Sequence, residues 1–202
     1  PAGETKVLEE IIQALVESDP EFARMWSELL VVHPKADIPV EVFDTETDYN
    51  RYVSDRLRKG SATIGSLAGT IVKSLQEQKI ANWLWLHCVA FDYERQIAVE
   101  DDDGTVRYLH PDFYYPKTDT VHEHFALNAN GTSPFADYVE HAESKRQAYR
   151  RKGIDFFETT SAQASSETLL STLEAELAQR AVPLERRNYA EITKALEPVV
   201  IK

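Results

Sequence analysis

The chain has 202 residues, 43% of them hydrophobic and 28% charged, and a net charge of −12; this is ample for one domain, or one domain with a helical appendage, and excludes disorder as the default state. A single cysteine, Cys88, excludes an internal disulfide and a multi-cysteine zinc site and points to a reducing, cytoplasmic setting. The acidity is uneven: residues 1 to 50 hold twelve Asp and Glu against three Lys and Arg, or −9, which leaves −3 for the other 152 residues, so the later part can carry a local basic surface although the whole lacks the usual footprint of phosphate binding.

The opening PAGETKV has no initiator Met and reads as a fragment of something longer. No signal peptide is seen, and no apolar run approaches the roughly 20 residues of a spanning helix. Residues 5 to 18 place Val7, Leu8, Ile11, Ile12, Leu15 and Val16 at helical spacing, and Asp19-Pro20 breaks that helix and starts a second through about Val32. A third helix is expected over 48 to 58, which completes an acidic helical region of residues 1 to 60. GSATIGSLAG then reads as a flexible connector over 61 to 70. Gly60 and Gly65 have the spacing of a phosphate loop, but Ser66 stands where the phosphate-binding Lys belongs, so no ATP site is expected.

From Ile71 to Ser165 the pattern is α/β. IVKSLQEQKIANWLWLHC predicts a helix lying on a sheet, with apolar residues at 80, 83, 84 and 87 to 88. Strands are predicted in FDYERQIAV, in VRYLHPDFYY after the acidic DDDG turn, and in TVHEHFAL after PKTD. SPFADYVEHAESKRQAYRRKG is a helix with Ser133 as N-cap, Pro134 at its first position and Gly153 as its stop signal. IDFFETTSA gives a fourth strand, and residues 166 to 202 form a helical tail.

Two acids inside apparent sheet core, Asp112 and Glu123, carry the chemical argument. A buried unpaired carboxylate is costly, so each calls for a partner, a raised pKa or a metal ion. Alternation puts Asp112 with Tyr114 on one strand face and Glu123 with Val121 and Phe125 on the next. In a hairpin the two carboxylates converge. Ionised acids about 4 Å apart repel by roughly 4 kcal/mol at an effective dielectric near 20, which implies a shared proton or a cation. Magnesium, or manganese, is the candidate, because it takes oxygen ligands and needs only one or two carboxylates. Glu77, on the preceding helix, is a third acid that can reach the same sheet end.

With a helical Glu77, Pro111-Asp112 on a strand, Glu123 on the next and the order helix, three strands, helix, strand, the chain resembles the PD-(D/E)XK nuclease fold, a restriction-endonuclease-like core. More narrowly, EQKIANWLWLHCVAFDYER, HPDFYYP, HEHFAL and YVEHAESKRQAYRRKG are similar to the domain inserted in superfamily 1 DNA helicases of the helicase IV type. The resemblance covers about residues 70 to 162. It implies Asp112 and Glu123 as metal ligands with Glu77 assisting, a metal-activated water attacking a phosphodiester, and DNA and the remaining helicase domains of a parent chain as partners. The family's Lys belongs two residues after the second acid, where this chain has Phe125. Lys145 is the substitute, since Tyr138, Ala142, Lys145 and Tyr149 share one helix face.

Lys145, Arg146, Arg150, Arg151 and Lys152, flanked by Tyr149, form the one dense basic cluster. It is either a phosphate-tracking surface or a solvated helix end offsetting the macrodipole. His122 and His124 share a strand face opposite Glu123; packing outweighs a His-x-His metal site. Cys88 reads as a buried small hydrophobe, Trp83 and Trp85 as one core and one partly exposed aromatic.

Two readings of different classes follow. One is a DNA-interacting, magnesium-dependent nuclease module of a helicase-like protein, without ATPase activity of its own. The other, favoured by Phe125 and the acidic first 50 residues, is a non-catalytic nuclease-fold module for DNA positioning or protein interaction.

Overall fold

The computed structural model describes residues 2–31, 64–101, 103–133 and 138–196. The helix expected over 48 to 58 and the Pro134 start signal lie outside the described residues. The chain divides into two compact units, Pro1–Cys88 with Arg186–Lys202, and Val89–Glu185. This partition differs from the one expected at 70/71 and 165/166. Among the described residues no helix is long and apolar enough to cross a membrane.

The first unit holds α1 (Ala2–Ser18), α2 (Pro20–Val31), the strands β1 (Ile64–Gly65) and β2 (Ile71–Val72), and α3 (Leu75–Leu86). Asp19 starts α2 by accepting the backbone N–H groups of Glu21 and Phe22 at 2.9 and 3.1 Å, which satisfies two of the orphan donors of a helix start. The expected connector is structured where it is described. Its Ile64 and Gly65 pair with β2 as an antiparallel hairpin, Ile64 opposite Val72.

Fully buried Asn82 of α3 ties these pieces together. Its Oδ1 accepts from Leu67 N at 2.7 Å and its Nδ2 donates to Val31 O at 2.9 Å, so the end of α2 and the hairpin loop share one amide. Ile80, Trp83 and Leu84 are buried as their spacing predicts, and Trp85 is half-buried. The chain returns at Arg187, whose Nε donates to Trp85 O at 2.8 Å and whose guanidinium lies 4.3 Å from the Trp85 ring. This contact brings the last described helix, α7 (Tyr189–Leu196), into the first unit. Cys88 is exposed, contrary to expectation: α3 ends at Leu86, and Cys88 takes the left-handed position beyond it (φ 55), so helical spacing no longer assigns it to the apolar face.

The second unit is α/β. Its four-stranded sheet runs β3 (Asp92–Tyr93), β6 (Phe113–Tyr115), β7 (Thr120–Phe125), β8 (Phe156–Thr160), and a separate hairpin joins β4 (Ile97–Glu100) to β5 (Val106–Leu109). Each of the first two expected strands is therefore split. One break is at Glu94, which has positive φ (51), and the other is at His110-Pro111-Asp112, where Pro111 has no N–H to give a ladder. Strands β6 and β7 are antiparallel with Phe113 opposite His122, while β7 and β8 are parallel with Glu123 opposite Glu158.

The parallel pair requires a crossover, supplied by α4 (Tyr138–Lys152). Gly153 (φ +63) ends α4 in a Schellman motif: Gly153 N donates to Arg150 O at 3.2 Å and Ile154 N to Tyr149 O at 3.0 Å. A buried cluster of Val99, Leu109, Tyr114, Val121, Ala148 and Tyr149 lies on the α4 side of the sheet. Beyond β8 come α5 (Ser161–Ser165), opened by a Thr160–Gln163 capping box, and α6 (Leu169–Gln179). Leu169, Leu173 and Leu177 of α6 are fully buried at four-residue spacing, so this part of the expected tail belongs to the core of the second unit.

Candidate acid site on the second unit

The pleat that alternates residues across β7 puts Val121, Glu123 and Phe125 on the α4 side. The register extends the row: the residue before Phe113 on one neighbour is Asp112, and the residue opposite Glu123 on the other is Glu158. Three carboxylates thus cross three adjacent chain segments beneath α4. Asp112 and Glu123 are tied together through backbone groups of the two neighbouring segments. His124 N donates to Asp112 Oδ2 at 2.6 Å, and the Asp112 N–H donates to the Glu123 carboxylate.

Glu123 is 1% exposed, and both of its oxygens have partners. Lys145 Nζ lies 2.8 Å from Oε2, and the Tyr149 hydroxyl donates to Oε1 at 2.5 Å. Burial pushes the Glu123 carboxyl up, against the opposing pull of Lys145 and of the hydrogen bonds from Lys145, Tyr149 and Asp112. Tyr149, itself fully buried, has its phenol pushed well up by burial and then by the Glu123 charge; it holds its proton and serves as a donor. Lys145 also reaches His110 O at 3.3 Å, with a side chain 29% exposed.

Of the predicted site residues, Asp112, Glu123 and Lys145 therefore meet. Glu77 belongs to the first unit, where Oε1 accepts from Ser74 Oγ at 2.9 Å and Oε2 from Lys73 N at 3.0 Å while its own N–H donates to the Ser74 side chain at 3.1 Å. It completes the N-terminal cap of α3, a different duty from the assisting ligand expected. Phe125, at the position of the nuclease Lys, is buried with the Arg146 guanidinium 4.9 Å from its ring centre.

Most of the basic cluster faces carboxylates of its own unit. Arg146 makes a bidentate pair with Glu158 at 2.7 and 2.8 Å, Arg150 stands 3.4 Å from Glu143, and Arg151 stands 3.3 Å from Asp101. Tyr149 is buried and offers no stacking face. Among the described residues Lys152 alone of the five cations has no ion-pair partner.

Sequence reasoning missed Glu158. Its signal is the one that marked Glu123, a carboxylate inside an apolar strand, here at an alternate position from Phe156 in IDFFETT. On the opposite face His122 and His124 pack as the commoner reading has it: His122 Nδ1 meets the Tyr115 hydroxyl at 2.9 Å, and Thr159 Oγ1 stands 2.8 Å from both His122 Nε2 and His124 Nδ1.

Hard oxygen donors are the right type for magnesium or manganese. Their arrangement here does not fit the ion, because the Lys145 ammonium and the Tyr149 hydroxyl already hold the two oxygens of Glu123. Among the described residues no three His, Cys, Asp or Glu side chains stand close enough to hold a metal. Comparison of the chain with protein-family models, curated proteins and solved structures gives no match.

Proposed function

We propose that the second unit is a restriction-endonuclease-like module of a cytoplasmic, superfamily 1 helicase-like protein, and that it positions DNA without cutting it. The observation that carries the non-catalytic half is the closure of Glu123 by Lys145 and Tyr149. A carboxylate so buried, its charge already answered by Lys145, takes a hydrated ion only by giving up these partners, and Phe125 cannot orient water or stabilise a pentacovalent phosphorus. The DNA half and the helicase-like parent rest on the resemblance over residues 70 to 162.

A second reading, a metal-dependent nuclease, is favoured by the meeting of Asp112, Glu123 and a lysine at one place. It requires Lys145 to leave Glu123 before an ion enters. Incubation of the whole chain with single- and double-stranded DNA in magnesium or manganese separates the two. The proposed reading expects DNA binding that weakens with salt and no cleavage. Cleavage abolished by Asp112→Ala and Glu123→Ala establishes the nuclease instead.

A further inference from the structure

A cleft of about 500 Å³ opens on the second unit where β4, the start of β7 and the Gly153 end of α4 approach one another, lined by Arg95, Ile97, Tyr114, Asp119, Val121 and Lys152 among others. Its size is that of a small-ligand site. Its acids are partly spent. Asp155 takes Arg180 Nε at 2.8 Å and the Thr120 hydroxyl at 2.9 Å on one oxygen, and Arg180 Nη2 at 3.2 Å on the other, and Asp119 Oδ1 takes the Tyr114 hydroxyl at 2.6 Å. Its cations are less so. Lys152 has no ion-pair partner among the described residues, and Arg95 has one ion pair, to Asp92 at 3.4 Å, with both of those side chains about half exposed.

Arg95 is also shaped for a flat ligand. Its guanidinium lies 4.1 Å from the centre of the Tyr114 ring, a cation–π arrangement that fixes a long side chain as a plate, and guanidinium planes are surfaces on which nucleobases stack. Phosphate is served by an ammonium as a point charge. The remaining acceptor capacity of Asp119 suits the N–H groups of a base.

We propose that this cleft binds one nucleotide unit of a DNA strand, with its base on the Arg95–Tyr114 plate and its phosphate at Lys152. The inference builds on the DNA reading above but places the contact away from the acid site and in only one residue of the basic cluster. A free mononucleotide carries the same chemistry, so the test needs both probes.

Fluorescence anisotropy with a short labelled oligodeoxyadenylate, and competition by deoxyadenosine monophosphate, are measured on the whole chain and on Lys152→Ala, Arg95→Ala and Arg95→Lys. Both positions are exposed, and unchanged melting temperatures verify the fold. The expected result is about a tenfold loss for either alanine variant, with Lys152→Ala also lowering the slope of log affinity against log salt by about 1. Arg95→Lys keeps the charge but loses the plate, and weakens binding with the slope unchanged. Oligonucleotide binding that ignores these substitutions overturns the cleft and leaves the DNA reading standing. Mononucleotide binding that depends on them, without oligonucleotide binding, overturns the DNA reading and makes the cleft a nucleotide site. No binding of either probe overturns both.

Discussion

Glu123 and Glu158 face one another in register on the parallel strands β7 and β8, and consecutive residues of α4 answer them: Lys145 on Glu123 at 2.8 Å, Arg146 on Glu158 at 2.7 and 2.8 Å. Adjacent positions of a helix diverge by about 100°, so Lys145-Arg146 can straddle two neighbouring strands where a single cation cannot. Two of the three carboxylates of the row are thereby neutralised from one helix, and Asp112 is held by the His124 N–H.

The two halves of the Glu123–Lys145 pair are unequal. Lys145→Met leaves a carboxylate 1% exposed without its cation, a change that costs about 3–5 kcal/mol. Glu123→Gln leaves a lysine that is 29% exposed and can turn to water, and costs about 1–2 kcal/mol. The double variant falls well short of the sum. Urea denaturation of the four proteins measures the cycle; a Lys145→Met loss no larger than that of Glu123→Gln rejects the idea that burial makes the acid the dependent partner.

Tyr149→Phe removes the donor 2.5 Å from Glu123, at a cost of about 1.5–3 kcal/mol for a hydrogen bond to a charged group. The sign with pH is fixed by the raised carboxyl of Glu123. A folded-state pKa above the unfolded one means the native state binds the proton more readily, so this group favours folding as pH falls. The variant loses support for the charged form only. Its deficit is therefore full above the folded pKa and shrinks in acid, which denaturation midpoints across the acid range will show.

Arg146→Lys keeps the charge opposite Glu158 but gives up the two-point contact and the guanidinium over Phe125. A loss of about 1–2 kcal/mol is expected, from geometry rather than charge. Arg146→Lys as stable as the parent in thermal unfolding would show that the pair works by charge alone.

Asp112, Glu123 and Lys145 were legible because local rules place them. Strand alternation assigns a face to each acid, and the 138, 142, 145, 149 spacing assigns Lys145 and Tyr149 to one side of α4. Glu158 carried the same local signal, a carboxylate inside an apolar strand, but its place opposite Glu123 was not legible, because that register is set across the crossover between Phe125 and Phe156. Tyr149 was grouped with the basic cluster that it flanks, yet it is buried, because helical spacing gives a face but does not say whether that face is turned to sheet or solvent. Glu77 shows the reverse failure. Ser74 three residues before it is a capping-box signal, and the local reading of those two residues outranks the long-range one. The domain boundary was hidden because Arg187 returns to Trp85 by contacts 102 residues apart.

The far face of the sheet predicts acid sensitivity. With both rings neutral, the arrangement that gives each hydroxyl proton an acceptor has the buried Tyr115 hydroxyl donating to His122 Nδ1, His122 Nε2–H donating to Thr159, and the Thr159 hydroxyl donating to His124 Nδ1. This one-way chain holds only while both rings are neutral, since a proton added to either nitrogen acceptor sets donor against donor. Burial lowers His124 from 6.5 to about 4, and burial, His124 and the Arg180 guanidinium lower His122 well below 6.5. Both folded values lie below the unfolded one, so their contribution is complete above about pH 6.5 and is lost as pH falls toward 4. For His124 alone that is about 3–4 kcal/mol at roughly 1.4 kcal/mol per pH unit. Glu123 acts in the opposite sense on the other face, so the informative quantity is a difference: urea midpoints of the parent minus those of His124→Leu, followed from pH 7.5 to 4.5. The parent's advantage should fall by most of this amount over that range. An advantage independent of pH would mean that His124 titrates alike in the folded and unfolded chains, and that Thr159 joins the two rings without holding them neutral.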